Sequence, residues 1–235
     1  MEETTVVQTL RRPEAVIFDF DGVIADTEPL HCDAFQRVLA PLGIRFTWEE
    51  YVETYMGFDD RDAFREAFRA NGQRPDDRRL AELVDAKSRV FQGILREGVT
   101  AYPGVVATVE SLHACGVPLA ICSGALRSDI DPILARLGIA HCFLHVVTAD
   151  DVRRGKPDPE GYLLSYRRLS ASRPGWVSSP ALCLAVEDTP AGVEAAKRAG
   201  LAVLGITNSY PAAGLVEADY IADTLVDVRL TGMPP

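Results

Sequence analysis

A chain of 235 residues with a formal charge of −10 buries roughly 70–75% of its unfolded surface on folding, enough for a large core without disulfide or metal support. Its 47% apolar and 25% charged residues are ordinary globular values, and the acidic balance argues against nucleic acid or an anionic membrane as partner. The five cysteines (Cys32, Cys115, Cys122, Cys142, Cys183) are odd in number and never form C-x-x-C, which excludes a simple disulfide framework and favours reduced thiols. Cys122, at a strand end, reads as buried filler rather than a nucleophile. The start "MEETTVVQTLRRPE" has no apolar segment of signal-peptide length, and no run approaches 18 apolar residues, so a soluble, cytoplasmic, monomeric protein is expected.

In chain order, the first strong element is "AVIFDF" (15–20), followed by "VPLAICS" (117–123), "FLHVVTA" (143–149), "ALCLAVE" (181–187), "LAVLGIT" (201–207) and a short "YIAD" (220–223). Continuous apolar runs of this kind predict strands buried on both faces, hence a parallel sheet sandwiched by helices. The helices expected between them are "YPGVVATVESLHACG" (102–116), "SDIDPILARLG" (128–138) and "TPAGVEAAKRAG" (189–200), each closed by glycine. The last opens with Thr189 as N-cap and Pro190 in its first turn. "SASRPGWVSSP" (170–180) predicts a surface loop.

Between the first two strands the alternation breaks. "HCDAFQRVLAPLG", "TWEEYVETYMG", "DRDAFREAFRANG" and "RRLAELVDAKSRVFQGILREG" all carry helical spacing. Residues 29–97 therefore predict a helical cap domain, entered near Thr27–Pro29 and left near Glu97–Tyr102. An α/β core domain would then comprise 14–28 and 98–235. Phe35, Trp48, Tyr51, Tyr55, Phe64 and Phe68 recur at helical spacing and are expected to form the cap's interior. "RPDDRR" (74–79) reads as a solvated charge run.

Ligands of open parallel sheets bind beyond the carboxyl ends of the strands. Those ends deliver Asp19, Asp21 and Asp26 after the first strand, and Ser123 and Gly124 after the second. Lys156 of "RGKPDPEGY" follows the third, and Glu187 and Asp188 close the fourth. Crowded carboxylates need a cation among them. Mg²⁺ takes a few carboxylates together with phosphate oxygens, and would draw charge from an attacked phosphoryl group. A carboxylate can attack phosphorus to give an acyl phosphate, and a second carboxyl two residues on can serve the leaving oxygen. Lys156 and the Ser123 hydroxyl suit oxygens that carry transition-state charge. Asp26 reads as a cap of the next helix or a ligand of a backbone amide.

"DFDGVIADT", "ICSGA", "GKPDPEGY" and "VEDTPAGVEAAKRAG" resemble, in order and spacing, the four signature motifs of the haloacid dehalogenase (HAD) superfamily. The likeness runs from about residue 14 to 224. Within it, "DFDGVIADTEPLH" is most similar to the β-phosphoglucomutase and phosphoglycolate-phosphatase-like branch. The resemblance implies a Rossmann-like, HAD-like α/β core with an inserted α-helical cap. It further implies a Mg²⁺-dependent phosphatase acting on a small phosphorylated metabolite, of sugar phosphate or phosphoglycolate type. Asp19 would be the nucleophile and Asp21 the general acid/base. Asp19, the Asp21 backbone carbonyl and Asp188 would hold Mg²⁺, with Glu187 either a further ligand or a support. Ser123, Gly124, Lys156 and amides around Phe20 would bind phosphate. Asp21 argues against a true dehalogenase, which resembles these enzymes but lacks that aspartate.

At the entrance to the cap, Thr27 reads either as a residue that orients the hinge or as ordinary structure. His31 matches a histidine that couples cap closure to proton transfer in related mutases, against a half-exposed helix histidine. Lys87 matches a cap lysine that reaches the cleft in related sugar-phosphate enzymes, against a solvated lysine. One departure stands out. Counting from Gly57, Asp60 occupies the position at which the mutases carry an arginine for a distal phosphate, with Arg61 one residue later. An aspartate there would repel a second phosphate by at least ~1 kcal/mol, unless Arg61 replaced the grip. Leu126 and Arg127 after "SGA" also depart from the mutase pattern. The alternatives to a phosphatase are thus a phosphosugar mutase and, from another class, a non-catalytic phosphometabolite-binding module, which would have no need of Asp21.

Overall fold

The computed structural model describes residues 8–56, 58–95 and 98–231; Gly57 and Glu97, used above to place the arginine position and the cap exit, lie outside them. Along β2 (Ala15–Phe18) the pleat sends Val16 and Phe18 to one face and Ala15 and Ile17 to the other, and both faces are buried. That is why the run is apolar throughout. β3 (Leu119–Cys122), β4 (His145–Val147), β5 (Cys183–Glu187), β6 (Ala202–Ile206) and β7 (Tyr220–Ala222) complete one all-parallel sheet in the order β4-β3-β2-β5-β6-β7. The expected runs at 143–149 and 220–223 form its edges, and their side chains are only half covered. A second parallel pair, β1 (Gln8–Arg11) with β8 (Val228–Thr231), has no counterpart in the sequence reading, because its partners lie at opposite ends of the chain.

On one face α5 (Val105–Ala114) and α6 (Arg127–Leu137) cover Val16, Phe18, Leu119, Ile121 and Val186. On the other, α7 (Glu160–Ser172) and α8 (Pro190–Arg198) cover Ile17, Ala120, Ala185 and Val203. Thr189 caps α8 as expected, its hydroxyl accepting from Gly192 N at 3.1 Å. This is the doubly wound arrangement the runs predict.

Between β2 and α5 come four α-helices: α1 (Glu28–Leu39), α2 (Trp48–Thr54), α3 (Asp60–Ala70) and α4 (Asp77–Leu95). They enclose an apolar cluster of their own that includes Phe35, Tyr51, Tyr55, Phe64 and Phe68. Trp48, expected among them, is instead 42% exposed. α4 belongs to both parts. Leu80, Leu83 and Val84 join the cap cluster, whereas Phe91, Ile94 and Leu95 enter the cluster beneath the sheet. The two strands of chain that join the cap helices to the sheet lie side by side: Asp26 N donates to Thr100 O at 3.0 Å and Tyr102 N to Ile24 O at 3.2 Å. Asp26 does not cap α1 as expected. It is exposed and accepts from Tyr102 OH at 3.1 Å, and the N-cap position is Thr27. Among the described residues no helix is long and apolar enough to cross a membrane.

Phe64 is fully buried and meets Phe35 edge-on with centroids 4.9 Å apart. Truncation to alanine in such a setting costs ~3–5 kcal/mol, so Phe64→Ala is expected to lower the urea midpoint by a corresponding amount; a loss under ~1 kcal/mol would show that the four helices pack otherwise.

Candidate active site

The loops at the carboxyl ends of the strands converge because β2 lies between β3 and β5. Phe18 is in register with Val186, and Asp19 N donates to Val186 O at 2.9 Å. Asp19 therefore faces Glu187 and Asp188 from the neighbouring strand. On the other side Ser123 N donates to Val147 O at 3.0 Å as β3 ends, leaving Ser123 and Gly124 at the same rim. Lys156, half-buried by residue but with its side chain only 10% exposed, reaches in from the loop after β4. Its Nζ lies 2.7 Å from Asp19 Oδ1 and 2.5 Å from Glu187 Oε1.

Glu187 is wholly buried and its oxygens are engaged. Besides Lys156 it accepts from Tyr162 OH at 2.6 Å, from Asp188 N at 3.2 Å and from Thr189 Oγ1 at 3.3 Å. Gly192 opens the space for it, since a Cβ there would fall 2.0 Å from the carboxylate. Burial alone would lower Lys156, but Asp19 and Glu187 outweigh it and raise the ammonium above its ordinary value. It is held charged. Burial likewise raises Cys122 to about 12, which removes that thiol from consideration as a nucleophile, in keeping with the sequence.

Asp188 is the opposite case. It is fully buried, and neither carboxylate oxygen meets hydrogen-bond geometry, although the Ser209 hydroxyl stands near enough to favour its charged form. Burial, then Asp19 and Glu187, push it well above the usual carboxylate range; burial pushes Asp19 the same way against the pull of Lys156. One ligand oxygen from each of Asp19, Glu187 and Asp188 can be chosen within 4.8 Å of the others. Gly22, at φ +76°, passes so near that a Cβ would stand 1.8 Å from Asp188 Oδ2, and only glycine takes that conformation freely. Three buried carboxylates, one ammonium and two orphaned oxygens leave a deficit of positive charge. A divalent cation held through oxygen fits that donor set.

Asp21 points away from this cluster toward the cap helices. It accepts from Thr27 Oγ1 at 2.5 Å, from His31 Nε2 at 3.1 Å and from Ser123 Oγ at 3.3 Å. Burial would raise it, yet His31, Thr27 and Lys87 prevail and lower it to about 2. Thr27 donates its hydroxyl proton to Asp21, and α1 begins without a side-chain cap. His31 is buried and stacks on Phe91. Its Nδ1 lies 2.5 Å from Lys87 Nζ, which is fully buried and also donates to Asp60 Oδ1 at 2.8 Å. The two ring nitrogens of His31 thus link Lys87 on one side to Asp21 on the other. The solvated-lysine and half-exposed-histidine readings do not hold. Arg61 is exposed on α3 and does not line the cleft; Arg127 turns to the Val146 carbonyl, and Leu126 packs on the cap cluster.

Asp19, Asp21, Lys156, Gly124 and Thr189 line the sheet side of one cleft, with Glu28, His31, Phe35, Tyr51, Phe58 and Asp60 opposite. Glu28 and Tyr162 escaped the sequence reading, and Tyr51, read there as cap interior, also lines the cleft. Glu28 stands inside the first motif, in "DTEPLH", but nothing local marks its carboxylate as the acceptor of Tyr51 OH, at 2.6 Å and 23 residues away. The free space is about 40 Å³, room for a few water molecules.

A parallel α/β sheet with carboxylates, a hydroxyl and a buried lysine at its carboxyl end is the frame of a hydrolase of phosphate or related esters. The family model for haloacid dehalogenase-like hydrolases matches residues 16–206, and the chain belongs to that family. It is 34% identical over 212 residues to a phosphorylated carbohydrates phosphatase of Thermotoga maritima, covering 89% of this chain and 93% of that protein. It is 31% identical to the phosphoglycolate phosphatase of Salmonella typhimurium, over 93% of this chain and 92% of the other. Among solved structures, CbbY from Rhodobacter sphaeroides in complex with phosphate superposes with a TM-score of 0.79 at 27% identity, covering 91% and 95% of the two chains.

Lys87→Met keeps the volume of the stem and removes its charge, leaving Asp60 buried without its partner. Breaking a buried pair on one side costs about 3–5 kcal/mol, so chemical denaturation should register a loss of that order. A change within ~0.5 kcal/mol, as for a surface lysine, would contradict the burial described here.

Proposed function

We propose that this protein is a Mg²⁺-dependent phosphomonoesterase that hydrolyses a small phosphorylated metabolite, of sugar phosphate or phosphoglycolate type, through an aspartyl-phosphate on Asp19. The observation that carries the reading is the placement of Lys156 Nζ 2.7 Å from Asp19, beside a buried Asp188 whose oxygens have no hydrogen-bond partner. An attacking carboxylate, a fixed cation and an unfilled demand for a second cation are then within reach of one phosphoryl group. The names of the two curated relatives point the same way.

In this reading Asp19, Asp188 and the Asp21 backbone carbonyl would hold Mg²⁺, while Glu187 would add its charge nearby and holds Lys156 in place. When bound, Mg²⁺ supplies Lewis-acid charge to the phosphoryl oxygens. Lys156, Ser123 Oγ and the amide of Gly124 bind and orient the phosphate. An Asp19 oxygen attacks phosphorus as the ester P–O bond breaks, and the leaving alkoxide takes a proton from the Asp21 carboxyl. Water then gives a proton to Asp21 while its oxygen attacks the phosphorus. The P–O bond to Asp19 breaks, freeing phosphate and restoring the carboxylate. His31 and Lys87 form a chain along which Asp21 can regain or shed its proton; as arranged here they hold it as the base. We further assign 29–97 as a cap over a core of 14–28 and 98–235. A cleft of about 40 Å³ does not hold a sugar phosphate, so admission requires the cap to part from the core, as lids do elsewhere. A monomer acting in the cytoplasm on a small metabolite, with neither nucleic acid nor membrane as partner, completes the proposal.

Asp19→Asn is expected to reduce phosphate release from p-nitrophenyl phosphate to background, and retained activity would defeat the nucleophile assignment. After chelator treatment, Mg²⁺ at a hundredfold excess over its Kd should raise the melting midpoint by roughly 5–10 °C. Asp188→Asn should lose most of that rise; an undiminished rise would place the cation elsewhere.

A further inference from the structure

The cleft wall opposite Asp19 and Lys156 has a chemical character of its own. Its ionisable lining is Glu28 and Asp60, with His31 between them, and its apolar lining is the rings of Phe35, Tyr51 and Phe58. Lys87, the cation nearest this wall, is fully buried behind it and already engaged by Asp60 Oδ1 and His31. Asp60 is itself 91% buried, counted from a 9% exposure, and its second oxygen, Oδ2, is buried without any hydrogen-bond partner. Such an oxygen is costly unless something donates to it. Glu28 is pushed up by burial and accepts from Tyr51 OH. Among the described residues no arginine or further lysine lines this side: Arg61, one residue after Asp60, is exposed to solvent.

From this we infer that the subsite facing Asp19 selects a phosphate monoester whose alcohol part is an uncharged polyol, with Asp60 as its specificity-determining acceptor, and that it rejects leaving groups carrying a second phosphate or a carboxylate. The assignment rests on the hydrolase reading above and narrows it. Hydroxyl groups donate to carboxylate oxygens, and the C–H faces of a polyol ring pack on aromatic rings. A second anion in this place would meet Asp60 and Glu28 where water is scarce and screening is weak. Of the two substrate types left open above, sugar monophosphates fit the wall and phosphoglycolate does not.

The test compares kcat/KM of the Mg²⁺-loaded enzyme for p-nitrophenyl phosphate, glucose 6-phosphate, fructose 1,6-bisphosphate and phosphoglycolate. The monophosphate should exceed both anionic esters by about tenfold or more, a factor worth roughly 1.4 kcal/mol. Asp60→Asn keeps an acceptor for Lys87 and discards the charge, so it should shrink the ratio of monophosphate to bisphosphate several-fold. Because that ratio is taken on one preparation, it does not depend on the fraction folded. Turnover of the bisphosphate or phosphoglycolate as fast as the monophosphate, or a ratio that Asp60→Asn leaves unmoved, would overturn the assignment while the hydrolase reading survives. Absence of turnover on every ester, p-nitrophenyl phosphate included, would overturn both.

Discussion

Negative charge gathered at the carboxyl ends of adjacent parallel strands is the constraint around which this molecule is arranged. β2 and β5 run side by side in register, so the residues at their ends, Asp19 after one and Glu187 and Asp188 at the close of the other, have nowhere to separate. Lys156 offsets two of these carboxylates, and Tyr162 and the α8 N-terminal turn tie down Glu187. Asp188 is left without a hydrogen-bond partner. The imbalance is costly for the protein taken alone, and a divalent cation held among these oxygens would offset it. Cores seldom keep such a cost without a use for it.

A second set of buried charges sits on the cap side, and the two sets meet at Asp21. Its carboxylate turns from the cluster toward Thr27 and His31, and through His31 to Lys87 and Asp60. α4 carries Lys87 and also packs into the cluster beneath the sheet; one residue after Lys87, Ser88 donates to Asp129 of α6 at 3.1 Å. A shift of the cap helices against the sheet would therefore disturb the partners of Asp21. Geometry of this kind ties the surroundings of the Asp21 carboxylate to the position of the four helices.

The core was legible because its physics is local. Runs such as "AVIF" and "LAIC" are apolar at every position only when both faces are covered, and Thr189-Pro190 marks a helix start from its own chemistry. The carboxylates, the serine and the lysine could be placed at strand ends for the same reason. The cap side chains could not. An exposed and a buried lysine carry the same letter, and Lys87 is buried only because His31 lies 56 residues before it and Asp60 27 residues before it. Asp26 shows the same limit, since its partner, Tyr102, lies 76 residues on, across the paired connectors.

By itself, then, the order of residues determined a parallel sheet with helices on both faces, a helical insertion after the first strand, and the set of groups that crowd one rim. Strand burial and helix caps depend on neighbours a few positions away, and a sequence displays those directly. Only the folded chain decided which oxygens are already satisfied: that Glu187 is occupied, that Asp188 is not, that Asp21 faces the cap, and that one buried oxygen of Asp60 has no hydrogen-bond partner. Whether a buried polar group is satisfied depends on atoms brought from distant parts of the chain, and three-dimensional packing alone brings them there.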